Sequence, residues 1–296
     1  MDKKIITVFT PTYNRAYILH VLYNSLREQT MKNFVWMIVD DGSTDNTKTL
    51  VENWKKQQNE FDIKYIFQEN QGMHGAHNTA YEHCDTPFNV CIDSDDYMPQ
   101  DAIEIISNEI DNLSSNYVGI IGLDADKTGK IIGTSIPNYL DSVKLNELYS
   151  VYGIKGDKKL VYRTDIVKKY PKYPIFKKWG ENFVPLSYLY LLIDQDFDLK
   201  PINKVLCIVE YQSDGSTRNI LKQYRKNPNG FAFSRINRIK YGKKFEERFK
   251  NAIHLVSSSI FAKKITWLMK TNKPFLIILA IPFGFILNIY ICIKTQ

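Results

Sequence analysis

Phe88-Asn89-Val90-Cys91-Ile92-Asp93-Ser94-Asp95-Asp96-Tyr97 runs from an apolar segment straight into three carboxylates within four positions. Residues 88–92 read as a short buried strand, because a continuous apolar run bounded by a polar cluster suits a parallel sheet covered on both faces. Carboxylates packed that closely repel one another, and burying them is costly unless a cation compensates. A divalent metal carrying an anionic ligand is the most economical compensation. Hard oxygen donors suit Mg²⁺ or Mn²⁺, which bind through one or two carboxylates plus substrate phosphates. The motif points to a phosphorylated, metal-bound substrate. Standing alone, it fits equally well a polar loop in which Asp95 or Asp96 caps the next helix.

The flanking sequence repeats the arrangement. Residues 4–9, 34–39 and 63–68 are further apolar or β-branched strands, and 16–29, a stretch reaching about residue 58, 74–84 and 99–113 carry helical spacing. Strands alternating with helices through short links predict an α/β fold with a doubly wound, mostly parallel sheet. Ligands bind such sheets at the carboxyl ends of the strands. Polar clusters stand there at 10–15, 40–45 and 93–96, which argues for one nucleotide site. The second half is more mixed, with strands at 118–123, 160–162 and 205–210 and an apolar helix over 186–193.

Each cluster has a chemical reading and a structural one. In Thr10-Pro11-Thr12-Tyr13-Asn14-Arg15, Tyr13 can stack on a base and Arg15 can pair with phosphate; a tight turn ahead of a helix is the alternative. Asp40-Asp41-Gly42-Ser43 offers carboxylates to ring N–H groups or ribose hydroxyls, or it opens a helix. Asn70-Gln71-Gly72 and the residues after it place backbone N–H groups at a helix start, where anions bind. His74 and His77 lack a third ligand of matching kind, which argues against zinc. Glu181, in Trp179-Gly180-Glu181-Asn182-Phe183, is the candidate general base for a transferase acting on a hydroxyl, or a loop glutamate facing solvent. Tyr211 to Thr217 reads as a lid or as a turn after a strand.

Charge is unevenly distributed along the 296 residues. The chain carries +7, yet residues 222–273 hold 14 Lys and Arg against Glu246 and Glu247, and residues 1–221 are net −6. A basic segment on an acidic body suggests an anionic partner. From Pro274 to Ile293 the chain is uncharged and apolar, long enough to cross a bilayer, but Pro282 and Gly284 are expected to interrupt it and Asn288 adds polarity. An anionic membrane surface is therefore the expected partner, nucleic acid ranks below it for want of a motif, and a buried core helix is the remaining alternative. Four scattered cysteines without a C-x-x-C pair, and a start that runs straight into a strand, give the expectation of a reducing, cytoplasmic location without a signal peptide.

Together the motifs resemble family 2 glycosyltransferases of the GT-A fold. The residues that carry the resemblance are 10–15, Val39-Asp40-Asp41-Gly42-Ser43-Thr44-Asp45, Asn70-Gln71-Gly72 with Ala76 and Asn78, and the DXD-like Asp93-Ser94-Asp95-Asp96. The likeness is strong over 1–115, weaker to about 215 and slight beyond. It implies a nucleotide-sugar half (1–115) and an acceptor half (116–218), to which the charge and apolar pattern of 219–296 add a basic helical, membrane-associating extension. Tyr13 would stack on the base, and Asp41 would bind uracil if the donor is a UDP-sugar. Asp93 would contact ribose or sugar, and Asp95 would ligate Mn²⁺ or Mg²⁺. Thr10, Pro11, Thr12, Arg15, Asn70, Gly72, Asn78 and Ser94 would complete the donor site. The reaction implied is inverting transfer to a hydroxyl of a surface-glycan precursor, with a lipid-linked acceptor suggested by the apolar tail. The chain departs from the family at Pro185-Leu186-Ser187, where many relatives carry a carboxylate, which leaves Glu181 as the nearest base and Asp194 and Asp196 at the far end of the helix. A nucleotidyltransferase and a membrane-fixed nucleotide-sugar-binding module stay as rivals; a processive synthase would need several membrane spans.

Overall fold

A computed structural model of the chain describes residues 4–177, 180–210 and 220–295. They fall in two compact units, Met1–Pro171 with Ile193–Gln212, and Lys172–Leu192 with Ser213–Gln296.

The first unit is built on one seven-stranded sheet. In chain order come β1 (Ile6–Thr12), α1 (Leu19–Arg27), β2 (Phe34–Asp40), α2 (Thr47–Lys55), β3 (Asp62–Phe67), α3 (Met73–His83), β4 (Phe88–Cys91), α4 (Ala102–Asp111), β5 (Tyr117–Ala125), α5 (Leu145–Ser150), β6 (Lys158–Arg163), α6 (Thr164–Val167), then α7 (Ser187–Asp196), whose first six residues belong to the second unit, and β7 (Asp198–Ile208). The strand order is β3-β2-β1-β4-β6-β5-β7. Strands β1 to β4 are parallel, β6 runs antiparallel between β4 and β5, and β7 lies parallel to β5 at the edge.

The apolar positions that predict these elements also pack them. Leu19, Leu22 and Leu26 share one face of α1 and are fully buried in the cluster that holds Ile6, Val8, Phe34, Trp36, Ile38 and Val90. Each such side chain contributes roughly 1.5–3 kcal/mol of transfer free energy. Tyr23 stacks on Trp54 at 4.3 Å between ring centroids and lies 5.9 Å from Trp36, tying α1 and α2 to β2.

Two boundaries differ from the sequence expectation. Strand β1 continues through Thr10, Pro11 and Thr12, in register with Ile38, Val39 and Asp40, where a loop is expected. Ladder groups alternate sides along a strand, so Pro11 faces the β4 side, and β4 pairs with β1 only over Ile6–Phe9. The missing proline N–H therefore forfeits no ladder bond. Strand β7 starts at Asp198 rather than Val205, because a sheet edge tolerates the polar residues Lys200, Asn203 and Lys204 facing water.

The second unit is helical: α8 (Ile220–Lys226), α9 (Pro228–Tyr241), α10 (Phe245–Phe261), α11 (Thr266–Met269) and α12 (Pro274–Lys294). The interruption expected at Pro282 and Gly284 does not occur. Helix α12 is continuous, with Pro282 on its exposed side and Gly284 seated against Val256 of α10, where a Cβ would come within 2.4 Å.

Candidate functional site

Connections from β1 to β2 to β3 run outward, and the chain then returns past β1 to place β4 on its other side. The order reverses between β1 and β4, and the crevice beyond the carboxyl ends at such a switch point is where open α/β sheets bind ligands. Tyr13, Asp41 and Asp93 lie just past the ends of β1, β2 and β4.

Local hydrogen bonds lock the first two loops together. Asn14 adopts a left-handed φ of 53°. Its Oδ1 accepts from the N–H groups of Thr44 (2.7 Å) and Asp45 (3.3 Å), and its own N–H donates to Ser43 Oγ at 2.8 Å. Asp45 Oδ2 accepts from Ala16 N–H at 3.0 Å. This clamp leaves the Tyr13 ring 49% exposed at the strand end. Arg15 bonds the Tyr17 hydroxyl and lies 5.8 Å over its ring. Thr12 Oγ1 is buried with no hydrogen-bond partner among the described residues. Thr10 needs correction as a ligand-binding side chain: it is fully buried, and its hydroxyl accepts the Trp36 indole N–H at 3.0 Å.

The two aspartates after β2 divide the work. Asp40 is structural, accepting Ser43 N–H on Oδ1 at 2.8 Å and the Tyr65 hydroxyl on Oδ2 at 2.6 Å. Asp41 holds the next loop, accepting from Gln68 Nε2 (2.7 Å), Gln71 N–H (2.9 Å) and Gly72 N–H (2.7 Å). Burial raises its carboxyl above the ordinary value in spite of those three donors. Gly42, at φ 86°, lets the Asn70 backbone approach, since a Cβ there would stand 2.9 Å from Asn70 N. Gly72 caps α3 at φ 80°, and Asn70 and Asn78 are partly exposed on either side of it.

In the acidic cluster the side chains alternate. Asp93 and Asp95 are partly exposed, whereas Ser94 and Asp96 are buried. Asp96 Oδ1 accepts from Glu210 N–H at 3.3 Å, and Oδ2 lies 3.8 Å from Cys207 Sγ. Burial pushes the Asp96 carboxyl up to about 7, against the pull of Lys159 and with the push of Asp93 and Asp95. Sequence reasoning does not single out Asp124 or Lys159, and it offers Asp96 only as a member of the acidic cluster or as a helix cap. Asp124 belongs to β5 near its end, is buried, and keeps Oδ1 without a hydrogen-bond partner among the described residues. Burial works against the Lys159 charge, but Asp124, Cys207, Asp96 and Asp93 outweigh it and hold the ammonium well above its ordinary value. The readable signal for Asp124 was a carboxylate near a strand end, as at Asp93; Lys159, in Asp157-Lys158-Lys159-Leu160, carries none.

This donor set fits Mg²⁺ or Mn²⁺. Among the described residues no three His, Cys, Asp or Glu side chains gather to cage a metal. Asp93 and Asp95 instead present one or two accessible hard oxygens beside excess negative charge, the mode in which substrate phosphates supply the remaining ligands. His74 and His77 are buried in α3, with His77 5.0 Å edge-on to the Phe9 ring, its Nδ1 3.3 Å from the Tyr81 hydroxyl and its Nε2 3.6 Å from Cys91 Sγ.

Glu181, in the second unit, also needs correction. It is buried rather than facing solvent. Oε1 accepts from Asn229 N–H (3.0 Å) and Asn229 Nδ2 (2.6 Å), and Oε2 from Gly230 N–H (2.9 Å). These are the open donors of the first turn of α9, so the carboxylate serves as a helix cap. The other carboxylates of this segment are engaged too. Asp194 accepts from Leu145 and Asn146 N–H at 3.0 and 2.7 Å, and Asp196 accepts from Tyr170 at 2.6 Å. Trp179 and the 211–217 loop lie outside the described residues.

Comparison with known proteins agrees with this geometry. The family model "Glycosyl transferase family 2" matches residues 7–170. The putative glycosyltransferase EpsH of Bacillus subtilis is 31% identical over 157 residues, 51% of this chain and 44% of EpsH. A Campylobacter jejuni GalNAc(5)-diNAcBac-PP-undecaprenol β-1,3-glucosyltransferase is 30% identical over 103 residues, 34% of this chain and 33% of that protein. The chain thus spans less than half the length of either relative. Among solved structures, Staphylococcus aureus TarS 1–349 with UDP-GlcNAc has a TM-score of 0.58 at 19% identity, covering 93% of this chain and 79% of TarS. Mannosyltransferase PcManGT of Pyrobaculum calidifontis, in complex with GDP-Man and Mn²⁺, has a TM-score of 0.57 at 15% identity, covering 98% and 85%. The shared fold is that of the GT-A glycosyltransferases.

Proposed function

Because the chain belongs to glycosyl transferase family 2, and is a glycosyltransferase, we propose that it moves a sugar from a nucleotide-sugar, a UDP-sugar by preference, to a hydroxyl of a surface-glycan precursor. The single observation that carries this reading is the convergence of Tyr13, Asp41 and the outward pair Asp93 and Asp95 at one switch point. The exposed Tyr13 ring would take the base by stacking. Asp41, fixed by Gln68 and the 71–72 backbone, would accept the uracil ring N–H with its remaining lone-pair capacity. Arg15, Asn70, Asn78 and Ser94 would border the nucleotide, and Asp93 would meet the ribose or sugar. Thr12, whose hydroxyl has no hydrogen-bond partner among the described residues, and Pro11 would form the floor.

Asp95 would hold Mn²⁺ or Mg²⁺, which when bound neutralises the departing diphosphate. The protein's own residues then orient the donor so that the acceptor oxygen attacks opposite the leaving group, giving inversion. Glu181 is not assigned the acceptor proton, because its oxygens already serve α9.

The acceptor side of the proposal is a lipid-linked glycan at the cytoplasmic membrane face. Helix α12 and the undecaprenol-linked substrate in the name of the Campylobacter relative support it. The test is hydrolysis of a nucleotide-sugar panel by purified protein, with Mn²⁺ or chelator, beside Asp95→Ala. Slow metal-dependent release of nucleoside diphosphate from one donor, absent in Asp95→Ala, is the expected result. Failure of every donor to bind would overturn the proposal.

A further inference from the structure

Helix α12 is long and apolar enough to cross a bilayer by length and composition, yet its packing suits a different arrangement. One stripe is covered: Ile277, Ala280, Gly284 and Ile291 are buried, at the spacing of a single helix face. Gly284 sits on Val256, Asn288 Nδ2 donates to Ser257 O at 3.3 Å, and Phe283 meets the Phe249 ring edge-on at 5.7 Å. Those partners all belong to α10, which also carries Glu246, Glu247, Arg248, Lys250 and His254. Drawing α12 across a bilayer means stripping it from α10 or dragging those charges into hydrocarbon, and both are strongly disfavoured.

From Pro274 to Ile293 the uncovered side of α12 carries no charge. Phe275, Ile278, Phe285, Ile286, Ile289 and Ile293 are all exposed, Phe275 by 82%. Exposed Ile265, just before α11, and Met269, at its end, accompany them, and Lys263, Lys270 and Lys273 stand exposed around the approach to the helix, with Lys294 exposed at its other end. A soluble surface does not leave so large an apolar face open without an occupant. A second copy would bring lysines against lysines, whereas an anionic lipid surface matches both the apolar face and the charges that fringe it.

We propose that α12 lies in the plane of an anionic bilayer, its uncovered face sunk among the acyl chains and both of its ends on the same side, with α10 as its roof. The proposal deepens the membrane part of the function reading above and is independent of the donor chemistry, which donor hydrolysis reports separately.

The test uses the full chain and vesicles of phosphatidylcholine with or without phosphatidylglycerol. Binding should be at least tenfold tighter with the anionic lipid and fall at high salt. Phe285→Glu should weaken it at least tenfold with an unchanged thermal midpoint, because residue 285 is exposed. Lys270→Glu with Lys273→Glu should remove the preference for anionic lipid. Lys294→Cys, in protein added from outside, should react with a membrane-impermeant maleimide above the unsubstituted background. Protection of that thiol until detergent is added would mean a spanning helix and would overturn the proposal. So would equal binding to neutral vesicles, or no vesicle binding together with self-association abolished by Phe285→Glu. If donor hydrolysis fails while vesicle binding behaves as described, only the donor reading falls.

Discussion

Replacing Glu181 separates a helix cap from a catalytic base. Glu181→Ala strands three donors in a buried place: the N–H groups of Asn229 and Gly230 and the Asn229 side-chain amide, now held at 3.0, 2.9 and 2.6 Å. A hydrogen bond to a charged group contributes about 1.5–3 kcal/mol net, and water entering the space left by the side chain recovers part of that. The loss is therefore on the order of 3–5 kcal/mol, or roughly 5–8 °C in thermal midpoint for a protein of this size. Glu181→Gln keeps one acceptor oxygen but turns an N–H₂ group toward a donor, so about 2 kcal/mol should go. Thermal unfolding gives the size of the effect, and amide exchange gives its place. The first turn of α9 should lose protection while β1 and β2 keep theirs. If both variants unfold like the unsubstituted protein, the capping argument is wrong and Glu181 returns as a candidate base.

Four further outcomes follow from named contacts. Gly42→Ala should weaken donor binding at least tenfold and lower the thermal midpoint, because its Cβ meets Asn70 N at 2.9 Å and its φ of 86° strains any L side chain; calorimetric titration of the donor reads the first effect. Tyr13→Phe should bind donor like the unsubstituted protein, whereas Tyr13→Ala should lose about 0.5–1.5 kcal/mol, roughly two- to twelvefold, if the ring stacks. Asp95→Ala should abolish metal-dependent hydrolysis while leaving the unfolding curve in chelator within about 2 °C, since Asp95 is partly exposed. Burial raises Asp194 to about 6. The folded protein then keeps a proton that the unfolded chain releases near pH 4, so this group's contribution to stability falls as pH rises from about 4 to 6 and levels off above. Denaturant melts of Asp194→Asn across that window should show a smaller fall than the unsubstituted protein; an equal or steeper one contradicts the assignment.

What the sequence reveals and conceals has physical causes. The β/α alternation is legible because the strands at 34–39 and 88–92 are buried on both faces and the helix at 16–29 on one, and both conditions leave periodic traces. Strand β1 is misjudged at Pro11 because tolerance of proline depends on where β4 stops pairing, a non-local fact. Asp93 and Asp95 face outward and Asp96 inward through a turn in which Asp96 N–H donates to Asp93 O at 3.1 Å, a geometry that the run of carboxylates does not itself reveal. Glu181 is illegible, because its partners lie 48 and 49 positions away and belong to a helix start defined only once the second unit is packed. Lys159 is equally hidden, since nothing local ties a lysine in β6 to Asp93 and Asp124.

The most direct test of the donor site is a crystal structure of the protein grown with UDP and Mn²⁺. The account predicts the base against the Tyr13 ring, uracil N3–H on Asp41, and the metal on Asp95 with the diphosphate. Nucleotide bound elsewhere on the chain, or the metal held by residues other than Asp93 or Asp95, would contradict it.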